Sequence, residues 1–298
     1  MSVFMRYARL AAVAGLIGLV GCGSTSAGSP GAAQSSAPAT AAPSATNPAP
    51  SAAAPQPTVA PTGKPGVRPS GPAQVCAQAG TYLTAVRTGE HSGSDRVVFQ
   101  FSGRLPGYTV GRVQAVDSDP KGAPVPLAGQ SYLRVVFHGT SAICPQPVHQ
   151  TYTGPAVLTP YFPELLTVSA AGDFEGVLSF GIGLAAQGGY HVFTLTNPDR
   201  LVIDVSHVAL GKFPGIWDIT SWPQYWATQY SWLNGHQPWL SNPSEVVQVW
   251  AGGIGSASVV RQVSANTFKV TKPDGKTFTV TGVRPVSVPG PWVITRIA

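Results

Sequence analysis

Alternating apolar and polar positions dominate the middle of the chain. In DRVVFQFSG, Asp95 to Gly103, the residues Val97, Phe99 and Phe101 fall on one side of a pleat and Val98 on the other. This period of two is the signature of a half-buried strand. The runs YLRVVFH, GVLSFGIGL, YHVFTL and RLVIDV follow, separated by Gly and Pro clusters at 103–107 and 119–126. Many short strands with turns between them predict a mainly β fold, a β-sandwich over residues 72–211. The segment AGDFEG, Ala171 to Gly176, carries two acids, Asp173 and Glu175, and is expected as a turn before a strand.

The period changes after residue 212. Trp222, Tyr225, Trp226, Tyr230 and Leu233 recur at helical spacing, and the run stops at Asn234-Gly235. A second helix is signalled by Asn242 as a cap, Pro243 at the first helical position and Glu245 in capping-box register, ahead of Val246, Val249 and Trp250. Four strand-like runs then close the chain, two of them joined by the turn Lys272-Pro273-Asp274-Gly275-Lys276. Residues 212–298 therefore predict a small α+β domain of two helices followed by about four antiparallel strands. All seven tryptophans fall in it.

One phrase occurs twice. DRVVFQFSG at 95–103 returns as DRLVIDVSH at 199–207, with four identities in nine positions. Each copy is expected to open a strand with its Asp-Arg pair at a turn near water, which makes the phrase a repeated strand edge and not a repeated active site.

The chain ends alter this picture. Arg6 and Arg9 precede an apolar run from Leu10 to Val20, too short to span a bilayer as a helix and expected as a secretory signal over residues 1–21. The run closes on Leu19-Val20-Gly21-Cys22, which resembles the lipobox of bacterial lipoproteins. That resemblance implies that Cys22 is acylated and becomes the mature N-terminus, anchoring the protein to a membrane that it does not span. Residues 22–70 are the lipidated cysteine and a tether almost wholly of Ala, Ser, Pro, Thr and Gly, with too little apolar mass to form a core. Lipidation of Cys22 leaves Cys76 and Cys144 of the three cysteines, the pair available for a disulfide in an oxidising compartment. Closing that loop is worth roughly 4 kcal/mol on chain entropy. The formal charge of +6, less Arg6 and Arg9 of the signal, leaves +4. Such a balance mildly favours anionic partners, and there is no basic run of the kind that binds nucleic acid.

DRVVFQFSGRLPGY and NPDRLVIDVSHV together resemble the AMIN domain. The intervening VPLAGQSYLRVVF, YTGP and AGDFEGVLSFGIGL resemble the longer AMIN-like domain of actinobacterial lipoproteins, over most of residues 76–209. The resemblance implies a β-sandwich module that contacts peptidoglycan and carries no catalytic residues.

Catalytic chemistry finds little support in the residues themselves. Gly181 to Ala186 satisfies the loose dinucleotide pattern, but a strand and not a helix follows, so it is expected as a Gly-rich strand end. His191, Asp204, Ser206 and His207 lack a nucleophile elbow. Twelve carboxylates show no pairing suited to glycoside hydrolysis, and no metal or cofactor motif is present. The chain is thus expected to be non-enzymatic: a lipid-anchored envelope protein on the outer face of the cytoplasmic membrane, binding cell-wall glycan or peptidoglycan and open to an envelope protein partner. Arg96, Arg104 and Arg200 are candidates for polymer contact. Trp232, His236, Gln237 and Trp239 are candidates for a sugar or polar headgroup, with helix capping as the structural role of His236 and Gln237. The alternative function is a lipid or glycolipid carrier with an apolar pocket enclosed by the Trp-rich C-terminal domain.

Overall fold

The computed structural model describes residues 76–298. The chain enters β1 (Thr81–His91) and β2 (Ser94–Phe101), then β3 (Gly107–Val113), β4 (Ser131–His138) and the short β5 (Thr140–Ser141). A hairpin of β6 (Ile143–Pro145) and β7 (Val148–Gln150) leads to β8 (Val157–Leu158), β9 (Leu165–Phe174) and β10 (Val177–Leu184), followed by β11 (Tyr190–Leu195) and β12 (Arg200–Ser206). The C-terminal part holds α1 (Trp222–Leu233), a 3-10 turn (Pro238–Ser241) and α2 (Pro243–Ile254). It ends with β13 (Val259–Ser264), β14 (Thr267–Thr271), β15 (Thr277–Val283) and β16 (Val293–Ile297).

Ten of these strands make the expected sandwich. The first sheet has the order β11-β12-β2-β1-β5 and the second β3-β4-β10-β9-β8. Along β2 the alternation read from the sequence buries Val97, Phe99 and Phe101 between the sheets, against Leu133, Val135 and Phe137 of β4 and Phe180 and Ile182 of β10. Phe99 meets Phe137 edge-on at 5.3 Å and Phe180 at 4.9 Å, a geometry that adds specificity to the area buried. Cys76 and Cys144 form a disulfide with Cα atoms 5.6 Å apart, fixing the start of the sandwich to the β6–β7 hairpin.

One local expectation needs correction. The AGDFEG segment is mostly strand: β9 runs to Phe174, and the turn is only Glu175 and Gly176, both at positive φ (49° and 75°), as a two-residue hairpin requires. Asp173 lies in that strand and accepts from Ser141 Oγ and the Ala142 N–H at 2.9 and 2.8 Å. Gly181 and Gly183 fall within the last residues of β10, the Gly-rich strand end that the sequence predicts. A Cβ on Gly183 would lie 2.0 Å from the Ala128 carbonyl oxygen, and one on Gly181 would lie 2.8 Å from Leu127. Those glycines let residues 114–130 lie flat across the outer face of the second sheet, where Val116 and Leu127 are buried with Ala171.

The C-terminal helices and the four-stranded antiparallel sheet, in the order β13-β14-β15-β16, match the sequence reading. α1 ends at Asn234 with Gly235 at φ 85°. At α2 the Asn242 side chain accepts from the Ser244 N–H at 2.9 Å. Glu245 meets the Asn242 side-chain amide at 3.2 Å, a variation on the expected capping box. Lys272–Lys276 closes as a turn through the Gly275 N–H to the Lys272 carbonyl, 3.0 Å.

All the described residues lie in one compact unit. Phe213, Ile219, Tyr225 and Trp226 share a core with Ala128, Leu166 and Ala185 of the sandwich, while α2 and the C-terminal sheet enclose another around Trp250 and Phe268. A buried glutamine ties the first of these together. The Gly129 N–H donates to Gln229 Oε1 at 2.8 Å, and Gln229 Nε2 donates to the Gly129 and Pro289 carbonyls at 3.2 and 3.0 Å. Gly129 itself tolerates no side chain there, with φ 124° and the Leu184 carbonyl oxygen 2.3 Å from a would-be Cβ. Replacing Gln229 with Ala leaves the buried Gly129 N–H without its partner and takes the Pro289 carbonyl's donor, while the Gly129 carbonyl keeps the Tyr132 hydroxyl. It is expected to lower unfolding free energy by about 2 kcal/mol, measured by urea denaturation of the whole chain. A change under about 0.5 kcal/mol would show that the glutamine does not hold the junction.

Candidate functional site

The repeated phrase forms the centre of the first sheet. β2 and β12 are antiparallel neighbours, and Val98 pairs with Val202, its own counterpart in the other copy. Around that pair Arg96 stands opposite Asp204 and Arg200 opposite Gln100. These are the pairings of an approximate two-fold axis through the sheet. The second sheet obeys the same relation, since β3-β4 and β10-β9 are arranged head to head about its middle. The phrase occurs twice because each half of the sandwich supplies one copy.

Asp199 lies at the expected turn ahead of β12, but Asp95 is not where the sequence reading put it. Asp95 is not at a solvated turn but inside β2 and fully buried. Its Oδ2 accepts from the Glu164 and Leu165 N–H groups at 2.7 and 2.8 Å, and His207 Nε2 donates to Oδ1 at 2.8 Å. The counterpart Asp199 precedes β12 and accepts from the Leu105 N–H at 3.0 Å, on the way into β3. Each aspartate therefore fastens the start of one central strand to the backbone leading into an outer strand of the opposite sheet. The reason is local: a buried carboxylate is tolerated only when hydrogen bonds replace its water. Glu164, also buried, completes the cluster, taking the Ala186 N–H on Oε1 at 2.9 Å and the Val208 N–H on Oε2 at 3.3 Å. The sequence did carry a signal for Asp95, because it shares the odd-numbered parity of Val97, Phe99 and Phe101. Nothing local announced Glu164 or Gln229.

The outward side of the phrase sets polar side chains around an apolar centre, the half-buried Val98 and the fully buried Val202. Arg96 Nε and Nη2 donate to the two Asp204 carboxylate oxygens at 2.6 and 2.8 Å, a bidentate pair that keeps the guanidinium charged and fixed. The same guanidinium lies 5.3 Å over the Phe193 ring, and His191 stacks on that ring at 5.4 Å. Arg87 Nη1 donates to Gln100 Oε1 at 2.8 Å on the neighbouring strand. Four strands thus present aligned cations, amide and carboxylate oxygens and one aromatic pair on a single face. The corresponding face of the second sheet is covered by residues 114–130.

The other candidates lie elsewhere. Arg200 folds back onto its own turn, donating to the Pro198 and Thr196 carbonyls at 3.0 and 3.2 Å. Arg104 is exposed in the connection to β3, where its carbonyl accepts from Thr81 Oγ1. His236 and Gln237 are exposed and line a shallow depression with Gln224 and Thr228, whereas Trp232 and Trp239 pack inward against the core around Trp250. The four are not brought into one pocket. In place of side-chain capping, the His236 N–H donates to the Ser231 carbonyl, and Gln237 starts the 3-10 turn through a left-handed backbone, φ 50°. All seven tryptophans pack in or against the two C-terminal cores. Cys22, the signal and the tether lie outside the described residues. Among the described residues no cluster of three or more His, Cys, Asp or Glu is placed to hold a metal, and no helix is long and apolar enough to cross a membrane.

Residues 81–207 match the family model described as the AMIN-like domain. No curated protein matches the chain.

Burial pushes the Glu164 carboxyl above its ordinary range, and the Ala186 and Val208 hydrogen bonds only partly oppose this. A raised folded value means that the native state holds the proton to higher pH than the unfolded chain. The resulting stability is present below the ordinary glutamate value and is lost as pH rises through the higher folded one. Unfolding free energy measured across that interval should fall with rising pH, and the slope should flatten in Glu164→Gln. An identical slope in the variant would remove Glu164 as its source.

Proposed function

From the AMIN-like domain that residues 81–207 form, we propose that this chain is a non-catalytic cell-envelope protein that binds peptidoglycan or another wall polymer. Binding is through the outward face of β11, β12, β2 and β1. The observation that supports this reading best is that face: a preorganised Arg96–Asp204 pair beside Phe193 and His191, on the broad side of the sandwich that residues 114–130 do not cover. Sugar rings stack on aromatic faces, and fixed guanidinium, amide and carboxylate groups take hydroxyls and the acidic groups of wall polymers. AMIN-like domains are in general binding modules, which accords with a site built for contact and not for turnover.

In the same reading, Cys22 is acylated and holds the protein on the outer face of the cytoplasmic membrane, in an actinobacterial type of envelope. Residues 23–70 then span the distance to the wall. The basic residues give the contact a preference for anionic polymer, with affinity falling as salt rises.

Two measurements test the proposal. The chain without residues 1–22 should cosediment saturably with purified insoluble cell wall, and Arg96→Ala should weaken that binding about tenfold, the loss of one strong charged contact. Pelleting that is absent, or unaffected by Arg96→Ala and by the Phe193→Ala variant, would contradict the assignment of the face. For the anchor, protein extracted from membranes should carry a diacylglyceryl-modified Cys22 by intact mass, and Cys22→Ala should move it to the soluble fraction. An unmodified Cys22 would refute the anchoring.

A further inference from the structure

Residues 114–127, which cover the second sheet, do not close against the C-terminal part. A half-open cleft of about 290 Å³ runs between them. Val116 and Leu127, both buried, form its floor, and Tyr132 flanks them. Leu233 from the end of α1 and Val288 from the connection between β15 and β16 make the opposite wall. No charged side chain lines it. The Tyr132 hydroxyl is turned to the Gly129 carbonyl at 3.0 Å, so the interior offers almost nothing to a water molecule, which needs two to four polar partners. Gln114, exposed at the rim, is the polar side chain nearest the mouth.

From these walls we infer that the cleft binds one acyl chain of a lipid, with the polar end of the lipid held outside near Gln114. An uncharged, poorly hydrated slot excludes ionic groups and favours hydrocarbon. Its volume is at the small end of ligand pockets, about 300 Å³, which suits a single slender chain better than a fused-ring ligand. The half-open form lets the chain enter lengthwise while the headgroup stays in water. This site is separate from the outward face of the first sheet, and neither depends on the other.

Occupancy has a structural consequence. The two walls come from parts of the chain more than a hundred residues apart, and Gln229, beside the cleft, bonds both Gly129 and Pro289, the latter a lining residue. A chain lying in the slot bridges the same junction and stabilises it by mass action.

The test uses the whole chain without residues 1–22, in detergent-free buffer, with dioctanoyl phosphatidylglycerol below its micelle concentration as the probe and glycerophosphoglycerol as the chainless control. The expected result is saturable binding by calorimetry with a rise in melting temperature, and neither effect from the control. Val288→Trp, which fills the slot, should weaken binding about tenfold, the loss expected when roughly two methylenes are displaced. Ala115→Trp, at an exposed lining position that leaves both cores untouched, should do the same and keeps the test valid if Val288→Trp disturbs folding. Absence of saturable binding to the unsubstituted chain, equal binding of the chainless control, or unchanged affinity in a folded Ala115→Trp variant would overturn the assignment.

Discussion

A carboxylate with no access to water has to find its hydrogen bonds inside the protein, and Asp95 finds three. Two come from the backbone entering β9 and one from His207 at the exit of β12. That requirement fixes where the second sheet begins relative to the first. It also fixes where the chain leaves the sandwich, because Glu164, whose own N–H serves Asp95, takes the Val208 N–H on its carboxylate. Asp199 repeats the arrangement at the other end of the two-fold axis through its bond to Leu105. The phrase that occurs twice in the sequence is therefore a joint as well as a strand. Its inward residues hold the two sheets in place, and its outward residues are displayed in register because of it.

The proposed contact surface follows from the division between the two sides of that strand pair. On the inside, Val97, Phe99, Leu201 and Ile203 contribute to a continuous apolar core. On the outside, pairing across the axis brings Arg96 to Asp204, and Phe193 from the next strand lies beneath the guanidinium. A rigid sheet supplies the positional precision that a flexible loop does not, so the side chains lose little entropy on meeting a ligand. The second sheet is used differently. Its outer side is covered by residues 114–130, admitted by Gly181 and Gly183, and its end is joined to the C-terminal helices through Gln229. In the proposed reading one sheet serves contact while the other carries the attachment.

Much of this was legible in the sequence wherever a local rule decides the outcome. Strand alternation, the Asn234-Gly235 stop, the Asn242-Pro243 start and the Lys272–Lys276 turn each depend on residues within a few positions of one another. The resemblance to the AMIN-like domain likewise rested on contiguous phrases. What escaped depends on distant partners. Asp95 looked like a turn residue because aspartate usually is one, although its parity placed it on the buried face. Gly181 and Gly183 read correctly as a strand end, but the backbone they admit, at Leu127 and Ala128, lies more than fifty positions earlier and left no local sign. The tryptophans suggested a pocket by composition, yet they fill cores whose geometry no periodicity reveals. Of the three arginines proposed from the sequence, Arg96 and Arg200 were placed on the right strands, but pairing across the axis separates them: Arg96 is held outward by Asp204, and Arg200 is drawn back to its own turn.

The central claim is that the outward side of the repeated phrase is the contact surface for wall polymer. Amide chemical shifts of the isotope-labelled chain, followed as soluble wall fragments are added, test it most directly. The account predicts that the perturbed amides cluster on β11, β12, β2 and β1 around Arg96, Val98, Phe193 and Asp204. Perturbations confined to the depression at His236 and Gln237, or to residues 114–127, would contradict it.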